Sequence, residues 1–168
     1  MKIICWVIFI GLCVQTGAII ISFIVSLFNN AEGAYSLYMK IYFTDLFKFS
    51  TWHYVMVVGF VIIIYSLKAN MFYLAIKIFS KMSLVQPFSI TISLLITKIS
   101  YVALGIALVI LTTDVHVTVL IRKGVNFPNL GTILDGASGY LLLGGIIFAI
   151  AQVYALGIEI QSENYLTV

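Results

Sequence analysis

The stretch IICWVIFIGLCVQTGAIIISFIVSLF, residues 3–28, decides the fold. It carries neither charge nor proline over about 26 positions, and as a helix it rises ~39 Å against a hydrocarbon core of ~30 Å. In lipid every backbone N–H and C=O must find a partner inside the segment, which a helix provides. The segment is therefore expected to cross a bilayer with some tilt. A cleavable signal peptide has a shorter apolar core and a small-residue cleavage site, so this segment reads as a retained anchor. Gly11, Gln15, Ala18, Ser22 and Ser26 recur along it at helical spacing. They make a small, weakly polar stripe that is expected to face other helices, because close approach in lipid depends on small residues and interhelical hydrogen bonds. Cys5 and Cys13 would stand ~12 Å apart on this helix, too far for a disulfide, and read as small apolar residues.

The rest of the chain follows the same pattern. Of its 168 residues 62% are hydrophobic and 9% charged, and the mean hydropathy is +1.16. Soluble domains carry about 25% charged residues, so the bilayer is this chain's solvent. The blocks predict an all-α, integral membrane four-helix bundle, one domain over residues 1–168, with spans near 3–28, 52–68, 90–112 and 137–158 and a short interfacial helix or hairpin in the outer connections. The second block runs on without a breaker through KANMFYLAIKIFSKM, residues 68–82, where Asn70, Lys77 and Lys81 share a face. That pattern suits a helix leaving the membrane along its surface. Pro87, in QPFS, suits the first turn of the third helix. In the fourth block Gly145, Ala149 and Gln152 share a face, and Ala151 and Ala155 make a second small-residue pair. Tyr35, Tyr38, Tyr42, Phe43, Phe47 and Phe49 mark the first connection as an aromatic interfacial cap. The second outer connection, VHVTVLIRKGVNFPNL (residues 115–130), reads either as a hairpin or as an extended helix end.

Several function classes are excluded on chemical grounds. The formal charge of +3 comes from nine scattered basic residues, which form no patch for direct nucleic-acid binding. There is no H-E-x-x-H, no G-x-S-x-G and no phosphate-cradling glycine loop, so no catalytic set, cofactor or enzyme activity is expected. His53 and His116 read as interfacial polar residues, and with Asp45 as a third member they are too few for a metal centre. Three polar residues fall within spans. Lys98 is close enough to the Pro87 end to extend its ammonium to the interface, and Gln15 and Gln152 are each expected to hydrogen-bond across the bundle.

The ending, GIEIQSENYLTV (residues 157–168), turns polar and then greasy again. Together with QPFSITISLLITKISYVALGI (residues 86–106) it resembles the small four-helix bacterial membrane proteins catalogued as domain of unknown function twenty-nine seventy-five. The matching positions are Pro87 and Phe88, then Gly157, Ile160, Gln161, Glu163, Asn164, Leu166, Thr167 and Val168. The likeness covers the second half well and the first half mainly through hydropathy. It departs where the family has basic residues after the Pro-Phe turn, since only Lys98 stands here, and where the family has charges in the last helix, since Gln152, Ala155 and Leu156 stand here. The resemblance implies a bacterial inner-membrane protein that restrains or senses for a small soluble helix-turn-helix regulator.

Lys77, Lys81, Pro87, Phe88, Gln161, Glu163, Asn164 and Leu166 would then form the partner-binding face, with both termini cytoplasmic and self-association into a homo-oligomer open. Basic residues divide evenly between the two sides, so the orientation leans on the lysine group of the middle loop. Two other readings remain at this point: a small transporter or channel along the Gln15 and Gln152 faces, and a membrane immunity protein against a secreted toxin that uses the aromatic loop.

Overall fold

The computed structural model describes residues 2–29, 43–81, 89–127 and 131–166. These form six helices: α1 (Lys2–Asn29), α2 (Thr44–Phe49), α3 (Thr51–Lys81), α4 (Ile90–Arg122), α5 (Gly131–Leu134) and α6 (Ala137–Leu166). There is no strand among the described residues, so the second outer connection is an extended helix end followed by a short helix and not a hairpin. Four helices, α1, α3, α4 and α6, are long and apolar enough to cross a membrane. The chain is a multi-pass membrane protein, and large apolar side chains such as Ile3, Trp52, Leu94, Leu142 and Val153 are turned outward, as only a lipid solvent tolerates.

Each long helix packs on its neighbour in sequence, so α3 and α4 lie at the centre with α1 and α6 flanking them. The centre is apolar. Ile64 meets Ile106 and Ile110, all fully buried, and one end of the same seam continues as Leu74 against Leu95 and Ile99. At the other end Tyr54, Val57, Val58 and Val61 pack with Val117, Leu120 and the cap residues Phe43 and Leu46. The aromatic cap is real where the structure describes it: Phe47 stands edge-on to Tyr54 at 5.1 Å.

Three of the expected spans are longer than their hydrophobic blocks. α3 continues from 68 to 81, α4 from 112 to 122 and α6 from 158 to 166, because hydropathy falls at those points while nothing interrupts the backbone. α3 also does not leave along the membrane surface. Leu74 and Ile76 stay buried and Ile78 packs on the Leu95–Ile99 cluster, so an inner face persists beyond Asn70. α4 ends where Gly124 takes φ +89°, a left-handed conformation that glycine adopts without a Cβ penalty, and the Gly124 N–H returns to the Ile121 carbonyl.

The chain then folds back along α4. Val125 and Ile133 are buried against Val117 and Leu120, and Leu134 reaches the Ile106–Ile110 cluster. A second left-handed glycine, Gly136 at φ +102°, starts α6, and Ala137 and Tyr140 already lie beside Ile106 and Ile110. α6 therefore begins near the middle of α4. At the other end the Ser89 N–H donates to the Tyr154 hydroxyl at 3.3 Å, so the rest of α6, twelve residues from Ala155 to Leu166, projects about 18 Å past the start of α4.

The α4–α6 contact is built on small residues. The Ser100 hydroxyl donates to the Gly144 carbonyl at 2.9 Å, and Ala151 is buried about two turns on. The inward face of α6 thus carries Gly144 and Ala151, whereas Gly145, Ala149, Gln152 and Ala155 are exposed, one position off the expected face. The small residues are dense enough here for two adjacent faces to qualify, and the Ser100 bond selects one. A Cβ on Gly144 would come within 2.8 Å of the Leu104 side chain and 3.3 Å of its backbone nitrogen, while one on Gly145 meets nothing within 4 Å. Gly144→Ala is expected to lower stability in detergent by ~1–3 kcal/mol through overpacking, with Gly145→Ala close to neutral, as read from thermal unfolding of the two variants.

Candidate functional site

The antiparallel pairing brings both chain ends to one end of the bundle. Phe9 stacks near Tyr73 at 5.8 Å, which sets the start of α1 beside the last third of α3, and the Ser89–Tyr154 bond sets the projecting part of α6 beside the start of α4. This end collects four of the residues expected to meet a partner. Lys77 lies over the Tyr73 ring at 4.5 Å, Lys81 is exposed in the last turn of α3, and Gln161 and Glu163 lie on the projecting turns of α6. Asn164 and Leu166 belong to the same helix, so the polar tail is a helical continuation of α6. Pro87, Phe88, Thr167 and Val168 lie outside the described residues, as do Tyr35, Tyr38 and Tyr42 of the aromatic loop.

The projection has two characters. Glu159, Ser162 and Glu163 are exposed, and so are Leu156 and Ile160. An apolar groove of about 650 Å³ follows this helix, lined by Ala149, Val153, Tyr154, Leu156, Gly157 and Ile160 among others. The Gln161 amide oxygen is buried without a hydrogen-bond partner among the described residues, an acceptor that costs ~1–3 kcal/mol while unmet. The groove together with the exposed Glu159 and Glu163 of the same helix makes a surface for peptide-like chemistry, with apolar anchors and polar orientation.

The residues expected inside the membrane have separate fates. Gln15 is half-buried on α1, Gln152 is exposed on α6, and neither makes a hydrogen bond across the bundle among the described residues. α1 and α6 flank opposite sides of the central pair, so the structure does not join the two amides into one path. Lys98 is exposed on the third turn of α4. The stripe on α1 contributes chiefly through Ser26, fully buried and 2.6 Å from the Tyr54 hydroxyl, whereas Gly11 is exposed.

One polar residue inside the bundle was expected at the end of its span, where the helix would leave along the membrane surface. Lys68 lies near the middle of α3, opposite the centre of α1, which carries no charge from Ile3 to Phe28. Its ammonium lies 5.3 Å from the Tyr65 ring and 5.5 Å from the Tyr140 ring, so α6 supplies half of an aromatic clamp. No carboxylate pairs with it among the described residues. A cation held by two ring faces is attracted by their quadrupoles, worth ~0.5–2 kcal/mol according to desolvation. The clamp sits where α6 begins and fixes that start against α3. The signal that would have found it is the unbroken helix register through Lys68, with Tyr65 one turn earlier. In a double-mutant cycle, Tyr140→Leu is expected to cost about 0.5–2 kcal/mol more with Lys68 present than in a Lys68→Met background, as measured by unfolding in detergent.

Comparison with protein-family models, curated proteins and solved structures finds no match to this chain.

Proposed function

We propose that this membrane protein acts by binding: it holds a soluble protein at the end of the bundle where both chain termini lie. The observation that carries this reading is the projection of α6, which continues about 18 Å past the start of α4 as helix and sets exposed Leu156 and Ile160 beside Glu159 and Glu163. Lys77 and Lys81 at the end of α3 add the opposite charge to the same end, so a partner with mixed charge around an apolar strip fits the surface. No converging nucleophile, base and orienting group is proposed, and the reading is non-catalytic.

The finer reading is a bacterial inner-membrane protein whose cytoplasmic end restrains a small helix-turn-helix transcription regulator. Its support is the resemblance of Pro87, Phe88 and the Gly157–Val168 ending to a family of four-helix membrane proteins. The pathway reading along Gln15 and Gln152 has no comparable support, since those helices flank opposite sides of the central pair.

The test is co-purification from native membranes in mild detergent. The full chain is expected to retain a soluble partner, and deleting residues 162–168 or making Leu156→Lys on the projection is expected to lower its recovery at least about tenfold, the scale of losing one hot-spot contact. Equal recovery from the truncated and full chains would contradict the proposal. A regulator among the retained proteins, with its target transcripts rising on truncation, would support the finer reading.

A further inference from the structure

The end of the bundle opposite the termini holds a second arrangement. His53 lies in the first turn of α3 and His116 near the end of α4, and they are the only histidines of the chain. Far apart in sequence, their rings are brought to 5.2 Å between centres at an interplanar angle of 45°. Both residues are half-buried, so the pair is neither sealed in the core nor loose in solvent. Each has one buried ring nitrogen, Nδ1 of His53 and Nε2 of His116, with no hydrogen-bond partner among the described residues. Unmet buried polar atoms are rare, and where two occur on neighbouring imidazoles one shared third atom would satisfy both.

We infer that His53 and His116 form a two-imidazole site for a divalent transition-metal ion of the zinc and copper class. Imidazole suits these ions, which bind it through the neutral ring's lone pair at ~2.0–2.1 Å. With that bond and about 1.1 Å from nitrogen to ring centre, two imidazoles 5.2 Å apart aimed at one ion would subtend about 110° there, close to the tetrahedral angle. Two positions of the tetrahedron stay open for water or an anionic ligand. The neighbourhood is mixed. Phe49 of α2 lies 6.1 Å from the His53 ring and screens one side, and Lys123 adds positive charge near His116. Because the ligands come from α3 and α4, a bound ion would fasten the two central helices at this end. The site is chemically independent of the partner-binding face and does not rest on that reading.

Isothermal titration of zinc chloride into the untagged full-length protein in detergent tests this, with cobalt chloride as a spectroscopic probe of geometry. One zinc ion per chain is expected, with a raised unfolding temperature, and cobalt should give the intense visible bands of tetrahedral coordination. His53→Ala and His116→Ala should each lower zinc affinity at least about tenfold and abolish those bands, since loss of even supporting groups costs ~10–100-fold. Lys123→Gln should tighten binding. His53→Gln and His116→Gln, which keep volume and hydrogen bonding, serve if an alanine variant fails to fold. No zinc binding by the wild type, or equal binding by the histidine variants, would overturn the inference.

Discussion

Ile64 of α3, locked between Ile106 and Ile110 of α4, holds the two central helices together, and every other element is placed relative to that pair. In lipid the seam gains nothing from hydrophobicity as such, since acyl chains are as apolar as isoleucine. It is held by tight packing, and elsewhere in the bundle hydrogen bonds between helices add to that. The flanking helices use both devices. α1 is tied to α3 by the Ser26–Tyr54 hydroxyl pair, and α6 to α4 by the Ser100 hydroxyl on the Gly144 carbonyl. The second bond lies where a glycine lets two backbones come close.

The displacement of α6 follows from how the chain leaves α4. Had it turned directly into the last span at Gly124, α6 would lie level with its neighbours and its polar end would finish flush with the others. The residues after Gly124 instead bury Val125, Ile133 and Leu134 along α4, and the helix begins again only at Gly136. What one end gains in packing the other end presents as projection. The same displacement sets Tyr140 beside Lys68, so the clamp in the bundle and the exposed tail at its end have one geometric cause. Chain reversal on one side of the membrane thereby shapes the surface offered on the other.

The four-helix architecture was legible in the sequence because its signal is long and redundant: four apolar blocks, each of spanning length, with backbone hydrogen bonding that lipid makes obligatory. The helix ends were not, because hydropathy reports solvent while the backbone responds to glycine, proline and capping. Lys68 shows the difference, a charge read as a boundary that sits inside a helix and finds two tyrosine rings. The contact face of α6 was missed by one residue, since Gly144 and Gly145 are equally small and only the position of Leu104 separates them. Lys77, Lys81, Gln161 and Glu163 could be grouped from the resemblance and from the even number of spans, whereas the meeting of His53 and His116 needed the register between α3 and α4, which no local pattern encodes.

The account stands on four crossings that bring both chain ends to one side. Single cysteines placed by Lys2→Cys, Lys81→Cys, Glu163→Cys, Asp45→Cys and Lys123→Cys in a chain lacking Cys5 and Cys13, labelled in intact cells with a membrane-impermeant maleimide, test it directly. Positions 2, 81 and 163 should behave alike, and positions 45 and 123 in the opposite way. Labelling that separates position 2 from position 163, or groups 123 with 81, would contradict the architecture and with it the shared end on which the functional reading depends.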